Sequence, residues 1–404
     1  MSAPTATPGA GTAVTGVGLV PGPVSASSGG QQLASLAVPL PADVTDQRLT
    51  TPCLLIDLEV LAGNISRIAA LARRNRVRLR PHAKTHKSVQ VARMQLEAGA
   101  TGICVATVGE AEVMRAAGIE DILLAYNIVG DAKLDRLRPL CADGGITLTA
   151  DSVEVAEGYS RLAATVARTV PVLLEIDTGM HRTGIEPQHA GQVGGRIAAL
   201  PGVELIGILT HAGHAHDAVA QPDIEVVARQ EAAAMQRARD ELDKQGVSVQ
   251  VVSAGSTITA PYLSADDGIT EVRPGTYVFN DLRTLEMYAC TPDQIAATIL
   301  ATVVSVGQGR VVLDAGNKTL TMTSTQQHGF GKIKNHPGTD FVRLSEEHGV
   351  AAVGEGEDDM RVGDRVQVLP VHICVCVDLQ REAYGVSQGT ITELIRIDAA
   401  RQSR

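Results

Sequence analysis

Eight short apolar runs, most of them followed by a segment of helical periodicity, occupy the chain from Thr51 to about Asp281. They are "VRLRPHAK", "GICVAT", "DILLAYNI", "ITLTAD", "VPVLLEIDTG", "LIGILTHAG", "VQVVSAGS" and "EVRPGTYVFND". Between them, stretches such as "IEVVARQEAAAMQRARDELDKQG" repeat Ala, Leu and Ile at three- and four-residue intervals, the period of an amphipathic helix. Strands alternating with helices specify a parallel sheet. Eight such units in about 230 residues are what closes a (β/α)8 barrel. A doubly wound open sheet would be expected to carry a Gly-x-Gly-x-x-Gly turn after an early strand, and none is present.

After Asp281 the texture changes. "AATILATVVSVGQGRVVLDAGNKTLTMTS", "DRVQVLPVHICVCVDL" and "EAYGVSQGTITELIRI" are rich in Val, Ile and Thr and punctuated by Gly, which predicts a β-domain. The expected organisation is therefore an α/β chain with a tail over residues 1–47, a (β/α)8 barrel over 48–285 and a C-terminal β-domain over 286–404. The tail contains no Lys or Arg, is rich in Ala, Gly, Pro, Ser and Thr, and is expected to be disordered. It lacks the basic start and continuous apolar stretch of a secretory signal. The short run "CLLIDL" suits either domain.

Composition narrows the function. A net charge of −10 disfavours nucleic-acid and anionic-membrane surfaces. No apolar run approaches the roughly 20 residues of a membrane span. The six cysteines (53, 104, 141, 290, 374 and 376) are scattered, as in a reduced cytoplasmic protein rather than a disulfide framework.

Barrel enzymes carry their chemistry at the C-terminal ends of the strands. Those positions hold His82 and Lys84, then Asp177 and Arg182, then His211, His214 and His216, then "SAGST", and finally Arg273, Gly275 and Tyr277. The Ser-Gly turn offers N–H groups and hydroxyls to a phosphate. Taken singly, such a turn is common, and a lysine at a strand end is usually a solvated charge. Together, an amine and a phosphate cradle at two strand ends are what pyridoxal phosphate requires.

The motifs "LRPHAKTHK", "EIDTGMHRTG", "THAGH", "SAGST" and "VRPGTYVFND" resemble those of the alanine racemase-type (fold-type III) pyridoxal phosphate enzymes, within them the D-threonine aldolase and D-serine dehydratase branch. The resemblance implies that Lys84, not Lys87, is the Schiff-base lysine. It places Arg182 by the pyridine nitrogen, where a guanidinium keeps that nitrogen unprotonated, and His211 against the cofactor face. It gives the phosphate to Ser253, Gly255, Ser256, Thr257 and Tyr277. His82 and His86 are expected to orient the lysine or satisfy backbone groups, His214 and His216 to support the site, and Asp177 to fix the arginine loop.

His372 and Cys374 lie two apart in "LPVHICVCVDLQ", on an expected strand that would point both side chains the same way. Imidazole and thiolate suit zinc. An alternating apolar strand that happens to contain Cys is the bland alternative. The resemblance implies a divalent metal at this pair, zinc or manganese/magnesium, with Cys376 and Asp378 unassigned. A metal beside the cofactor fits a substrate with a β-hydroxyl. Loss of that hydroxyl gives a 2-oxo acid and ammonia, the D-serine dehydratase reaction. Cleavage of Cα–Cβ gives glycine and an aldehyde, the D-threonine aldolase reaction. The His-x-Cys pair and "THAGHAH" favour the dehydratase. A racemase would need an opposing tyrosine, for which the β-domain offers only Tyr288 and Tyr384. The resemblance further implies D-amino acid substrates and a homodimer.

Overall fold

The structure is a computed structural model that describes residues 39–354 and 359–403. The expected tail therefore lies outside the described residues over 1–38. Its last part is described: Ala42–Asp43 pairs antiparallel with Thr390–Ile391 of the β-domain.

All eight expected barrel strands form. They are Arg78–Leu79, Ile103–Val105, Ile122–Asn127, Ile146–Ala150, Val170–Glu175, Val203–Leu209, Val251–Ala254 and Glu271–Val272. Each is parallel to its neighbours, and the eighth lies between the seventh and the first. A parallel bridge between His82 and Cys104, with Ala83 N donating to Cys104 O at 2.7 Å, joins the first strand to the second and closes the barrel. The residue types explain the order. Runs such as "VPVLLE" are buried on both faces, by the barrel interior on one side and by helices such as Ala190–Ala198 and Gln221–Lys244 on the other.

The interior also carries a buried polar chain. Arg80 reaches Glu271 (2.9 Å) and Asp121 (2.7 Å); Ser253 Oγ donates to Glu271 (2.7 Å) and accepts from Arg273 Nη1 (2.7 Å). Paired in this way, the charges avoid the several kcal/mol that lone buried ions would cost.

The β-domain is a ten-stranded sheet built around Ala297–Gly307. The "CLLIDL" run belongs to it: Cys53–Asp57 pairs antiparallel with Ala297–Leu300 and parallel with Tyr384–Val386. The Asp57 carboxylate then caps the next helix, Leu58–Arg74, by accepting from Val60 N at 2.9 Å, so one residue ends the β-domain strand and starts the barrel's first helix.

One expected strand is not a strand. Ile373–Leu379 is a helix with His372 as its N-cap. Its buried residues are Ile373, Cys376 and Val377, a three-four spacing, whereas Val375, which an alternating strand would bury with them, is exposed. Packing overrides the β preference of "ICVCV". Among the described residues, no helix is long and apolar enough to cross a membrane.

Candidate active site

The first barrel strand leads into a tight turn in which Ala83 O accepts from His86 N (3.2 Å) and Lys87 N (2.7 Å). The turn gives its two lysines opposite fates. Lys87 is buried, its ammonium 3.1 Å from Glu110 and 2.7 Å from Asp378. Lys84 is half-buried and has no carboxylate within ion-pair distance among the described residues. Its charge is instead felt at His82, His211 and His216.

Those imidazoles are held neutral. Burial, followed by the charges of Lys84 and Arg273, pushes His82 and His211 well below the ordinary histidine value. His216 is pushed down to about 4 by burial, then Arg283, His372 and Lys84. His86 Nδ1 accepts from Ser88 N (3.1 Å), and its Nε2 meets Gln95 Oε1 (3.2 Å). That bonding fits the backbone-satisfying role expected of it.

Arg182 is exposed at the barrel mouth, and its charge is felt at His211 and Glu175. The loop before it is tied by Asp177, whose carboxylate accepts from Gly179 N (2.9 Å) and His181 N (3.0 Å) and meets His181 Nδ1 at 2.8 Å.

The expected phosphate ligands divide. Gly255 (φ +78°) turns the chain out of the seventh strand, and Thr257 Oγ1 accepts from Gly275 N (3.2 Å) and Tyr277 N (3.3 Å). Gly255, Ser256, Thr257 and the 275–277 backbone thus form one cradle. The Ser253 hydroxyl is committed to Glu271 and Arg273 in the barrel interior. The Tyr277 ring is fully buried and its hydroxyl accepts from Gln95 Nε2 at 2.9 Å, so only its main chain faces the cradle.

A Cβ on Gly275 would meet Thr85 Oγ1 at 3.1 Å and His82 Cβ and O at 3.2 Å; the cradle is walled by the lysine turn. Lys84 and Arg182 stand at this mouth, and neither they nor the buried Arg273 have an ion-paired carboxylate among the described residues. Cations without an ion-paired carboxylate, a glycine turn bearing the Ser256 and Thr257 hydroxyls, and an amine without a counter-ion fit an anionic aldehyde such as pyridoxal phosphate.

His372 and Cys374 do come together, although on a helix start. His372 is still extended (φ −136°, ψ 100°), so the chain turns between the two residues and leaves their side chains close enough for each to feel the other's charge. Burial disfavours the charged form of each. Their mutual attraction outweighs it, raising the His372 pKa and lowering that of Cys374. Cys374 Sγ also lies 3.3 Å from Thr85 Oγ1, next to Lys84. The pair offers one nitrogen and one sulfur; no group of three metal-ligating side chains occurs among the described residues. Such a pair fits a metal whose remaining positions are left to water and substrate.

Three contributors escaped the sequence reading. Buried Asp281 accepts from Ile373 N (3.1 Å) and Thr284 N (2.8 Å), with its Oδ2 3.7 Å from His372 Nδ1. Thr85 links the lysine turn to Cys374. Arg283 donates through Nε to His216 Nδ1 at 3.1 Å. Thr85 and Asp281 lie inside quoted motifs, but nothing in a linear sequence ties them to residues 90 to 290 positions away.

Comparison with known proteins identifies the family. A family model described as the alanine racemase N-terminal domain matches residues 56–282, and one described as a putative serine dehydratase domain matches 296–386. The chain is 34% identical over 346 residues to D-threo-3-hydroxyaspartate dehydratase of Delftia sp. (strain HT23), covering 81% of this chain and 91% of that protein. It is 30% identical over 378 residues to D-threonine aldolase of Arthrobacter sp, covering 92% and 99%. Two solved structures of D-threo-3-hydroxyaspartate dehydratase are also similar. One, a histidine-to-alanine mutant, has 31% identity and a TM-score of 0.83 over 88% of this chain and 96% of that one. The other, a cysteine-to-alanine mutant in the metal-free form, has 31% identity and a TM-score of 0.81 over 88% and 98%.

Proposed function

The chain belongs to the alanine racemase-like, fold-type III family of pyridoxal phosphate enzymes, and we propose that it is a metal-dependent lyase that removes water from D-3-hydroxy amino acids, giving a 2-oxo acid and ammonia. The carrying observation is the adjacency, through Thr85, of a lysine without a counter-ion and a His-Cys pair. Pyridoxal phosphate bound at Lys84 supplies an electron sink that acidifies the substrate's Cα–H, and a divalent metal at His372 and Cys374 supplies a Lewis acid for the β-hydroxyl.

The chain's own groups do the rest. The Lys84 amine takes the α-proton. His211 and His82, both within reach of the charge of that amine, are held neutral and would add no positive charge beside the cofactor. Thr257 fixes the phosphate turn through Gly275 N and Tyr277 N. Arg182, exposed at the mouth, would hold the cofactor's pyridine nitrogen unprotonated. Asp281 orients His372 and pins the start of its helix, the outer-sphere role that carboxylates play behind metal-bound histidines.

The metal reading draws support from the two mutants above, whose substituted histidine and cysteine lie two residues apart in that dehydratase, the spacing of His372 and Cys374. The runner-up is retro-aldol cleavage, favoured by the likeness to D-threonine aldolase. A racemase has less support: neither Tyr288 nor Tyr384 lies in a recognisable racemase motif, and Tyr384 packs against the cluster of Cys53 and Leu55. A homodimer and a cytoplasmic setting belong to the same proposal, the latter supported by six free cysteines.

The test is incubation of purified protein with D-threonine, pyridoxal phosphate and a divalent metal, with both product sets measured. 2-Oxobutyrate and ammonia support elimination. Glycine and acetaldehyde overturn it in favour of aldol cleavage, and L-allo-threonine, the product of inversion at Cα alone, overturns it in favour of a racemase.

A further inference from the structure

We infer that Arg283, oriented by His216, is the receptor for a second carboxylate on the substrate, so that the preferred substrate is a D-3-hydroxy amino acid with an anionic β-substituent. The inference rests on the lyase reading above and adds the substrate class.

Arg283 follows Asp281 by two residues, and its own N–H donates to Val371 O at 3.3 Å. Its backbone is therefore fixed to the segment that presents His372. The side chain is half-buried, and its charge is felt at both His372 and His216, while that of Lys84 is felt at His216 as well. Val371 precedes His372 and Asp281 stands 3.7 Å from its ring, so the arginine is carried by the same junction as the metal pair, with its Nε 3.1 Å from His216.

Nothing there neutralises it. Arg283 has no carboxylate within ion-pair distance among the described residues, whereas Arg80, the buried arginine of the barrel interior, has two, Glu271 and Asp121. The nearest acid in sequence, Asp281, is fully buried and committed to Ile373 N and Thr284 N. A half-buried cation without an anion bears a desolvation cost that a bound anion would relieve.

The hydrogen bonding also selects the shape of that anion. An arginine can only donate, so His216 Nδ1 must be an unprotonated acceptor and the ring neutral, with its proton on Nε2. The bond consumes the Nε–H and leaves the Nη1/Nη2 edge, whose two parallel N–H donors match a carboxylate. A hydroxymethyl or hydroxyethyl side chain offers that edge no negative charge. A carboxylate on the β-carbon does, and the same carbon bears the hydroxyl that the proposed metal would hold.

The test compares D-threo-3-hydroxyaspartate with D-threonine on the holoenzyme of the natural chain, R283M and R283K. The ratio of their kcat/KM values should favour the dicarboxylate and fall roughly 10²-fold or more in R283M, with partial recovery in R283K, as for removal of one partner of a buried charge pair. Calorimetric binding of D-malate, which undergoes no reaction, supplies a second readout and should weaken in R283M. A natural chain with no preference for the dicarboxylate, or an R283M variant that keeps the natural ratio and D-malate affinity, overturns the inference while leaving the lyase reading intact. Aldol or isomerised products instead of 2-oxo acids overturn the lyase reading, and the D-malate comparison still decides the role of Arg283. Near-ultraviolet circular dichroism and cofactor absorbance confirm that each variant is folded and loaded.

Discussion

The two lysines of "AKTHKS" should respond oppositely to the same substitution. Lys87 is 8% exposed and its ammonium lies 3.1 Å from Glu110, which is 2% exposed, and 2.7 Å from Asp378. Replacing it with methionine strands the buried Glu110 carboxylate, the case in which breaking a buried pair costs about 3–5 kcal/mol. The Asp378 side chain is 35% exposed, so water takes back much of its share. The expected loss in K87M is therefore about 3 kcal/mol, at the low end of that range. Burial works against the Lys87 ammonium, but its two carboxylates raise its pKa above the ordinary lysine value. A raised folded pKa means that this stabilisation is complete at neutral pH and is lost only in strong alkali, as pH climbs through the folded value. K84M removes an amine with no ionic partner, so its stability should change by about 0.5 kcal/mol or less. It should nonetheless abolish turnover and the visible absorbance of bound cofactor. Urea unfolding of the cofactor-free variants at pH 7.5, with absorbance spectra after reconstitution, measures both. A K84M variant that lost about 3 kcal/mol beside an undisturbed K87M would refute the assignment of the two roles.

Three other substitutions probe separate parts of the site. G275A places a methyl 3.1–3.2 Å from Thr85 Oγ1 and the His82 main chain and Cβ. Its backbone φ of −124° is open to any residue, so folding should lose only about 1 kcal/mol while cofactor affinity falls at least tenfold by absorbance titration. D281N removes the carboxylate behind His372 and should weaken metal retention about 10- to 100-fold, read by metal analysis after dialysis, with cofactor uptake preserved. His86 is pushed down to about 4 by burial, and its Nδ1 accepts from Ser88 N, a bond that only the unprotonated nitrogen can make. A depressed histidine pKa means stability is present above about pH 6.5 and is lost as pH falls toward 4, because the unfolded chain binds the extra proton. H86N should flatten the fall in unfolding free energy between pH 6 and pH 4.5 by up to about 1.4 kcal/mol per pH unit; an unchanged slope would mean that His86 titrates normally.

The barrel was legible because its strands satisfy one simple demand, burial on both faces. Runs such as "DILLAYNI" and "VPVLLEIDTG" can sit nowhere else, and the helical segments between them fix the parallel connection. The strand Cys53–Asp57 was ambiguous for the same reason. It is buried on both faces too, and its membership is decided by pairing with Ala297–Leu300, about 240 residues later in the chain. The cradle was legible in part. Gly255 and Thr257 announce a turn, but Ser253 and Tyr277 share the same motifs and face inward, where Glu271, Arg273 and Gln95 claim their hydroxyls.

The segment around His372 shows how two residues expected to lie together can do so on a different element. In a strand, residues two apart share a face. In a regular helix they point roughly 200° apart, so a helix would have argued against the pair. The pair survives because His372 is not yet helical: it keeps extended angles while Ile373 begins the first turn. What holds the junction there is the Asp281 carboxylate, accepting from Ile373 N at 3.1 Å and standing 3.7 Å from the His372 ring. The same carboxylate also caps the helix Leu282–Glu286 that carries Arg283. One buried acid therefore sets the positions of the imidazole, the thiol two residues on and the neighbouring guanidinium. If that is its role, D281N should move all three together: metal retention and the preference for a dicarboxylate substrate should fall in the same variant. Loss of metal with the substrate preference intact would show that Arg283 is held independently, by His216 and Val371 alone.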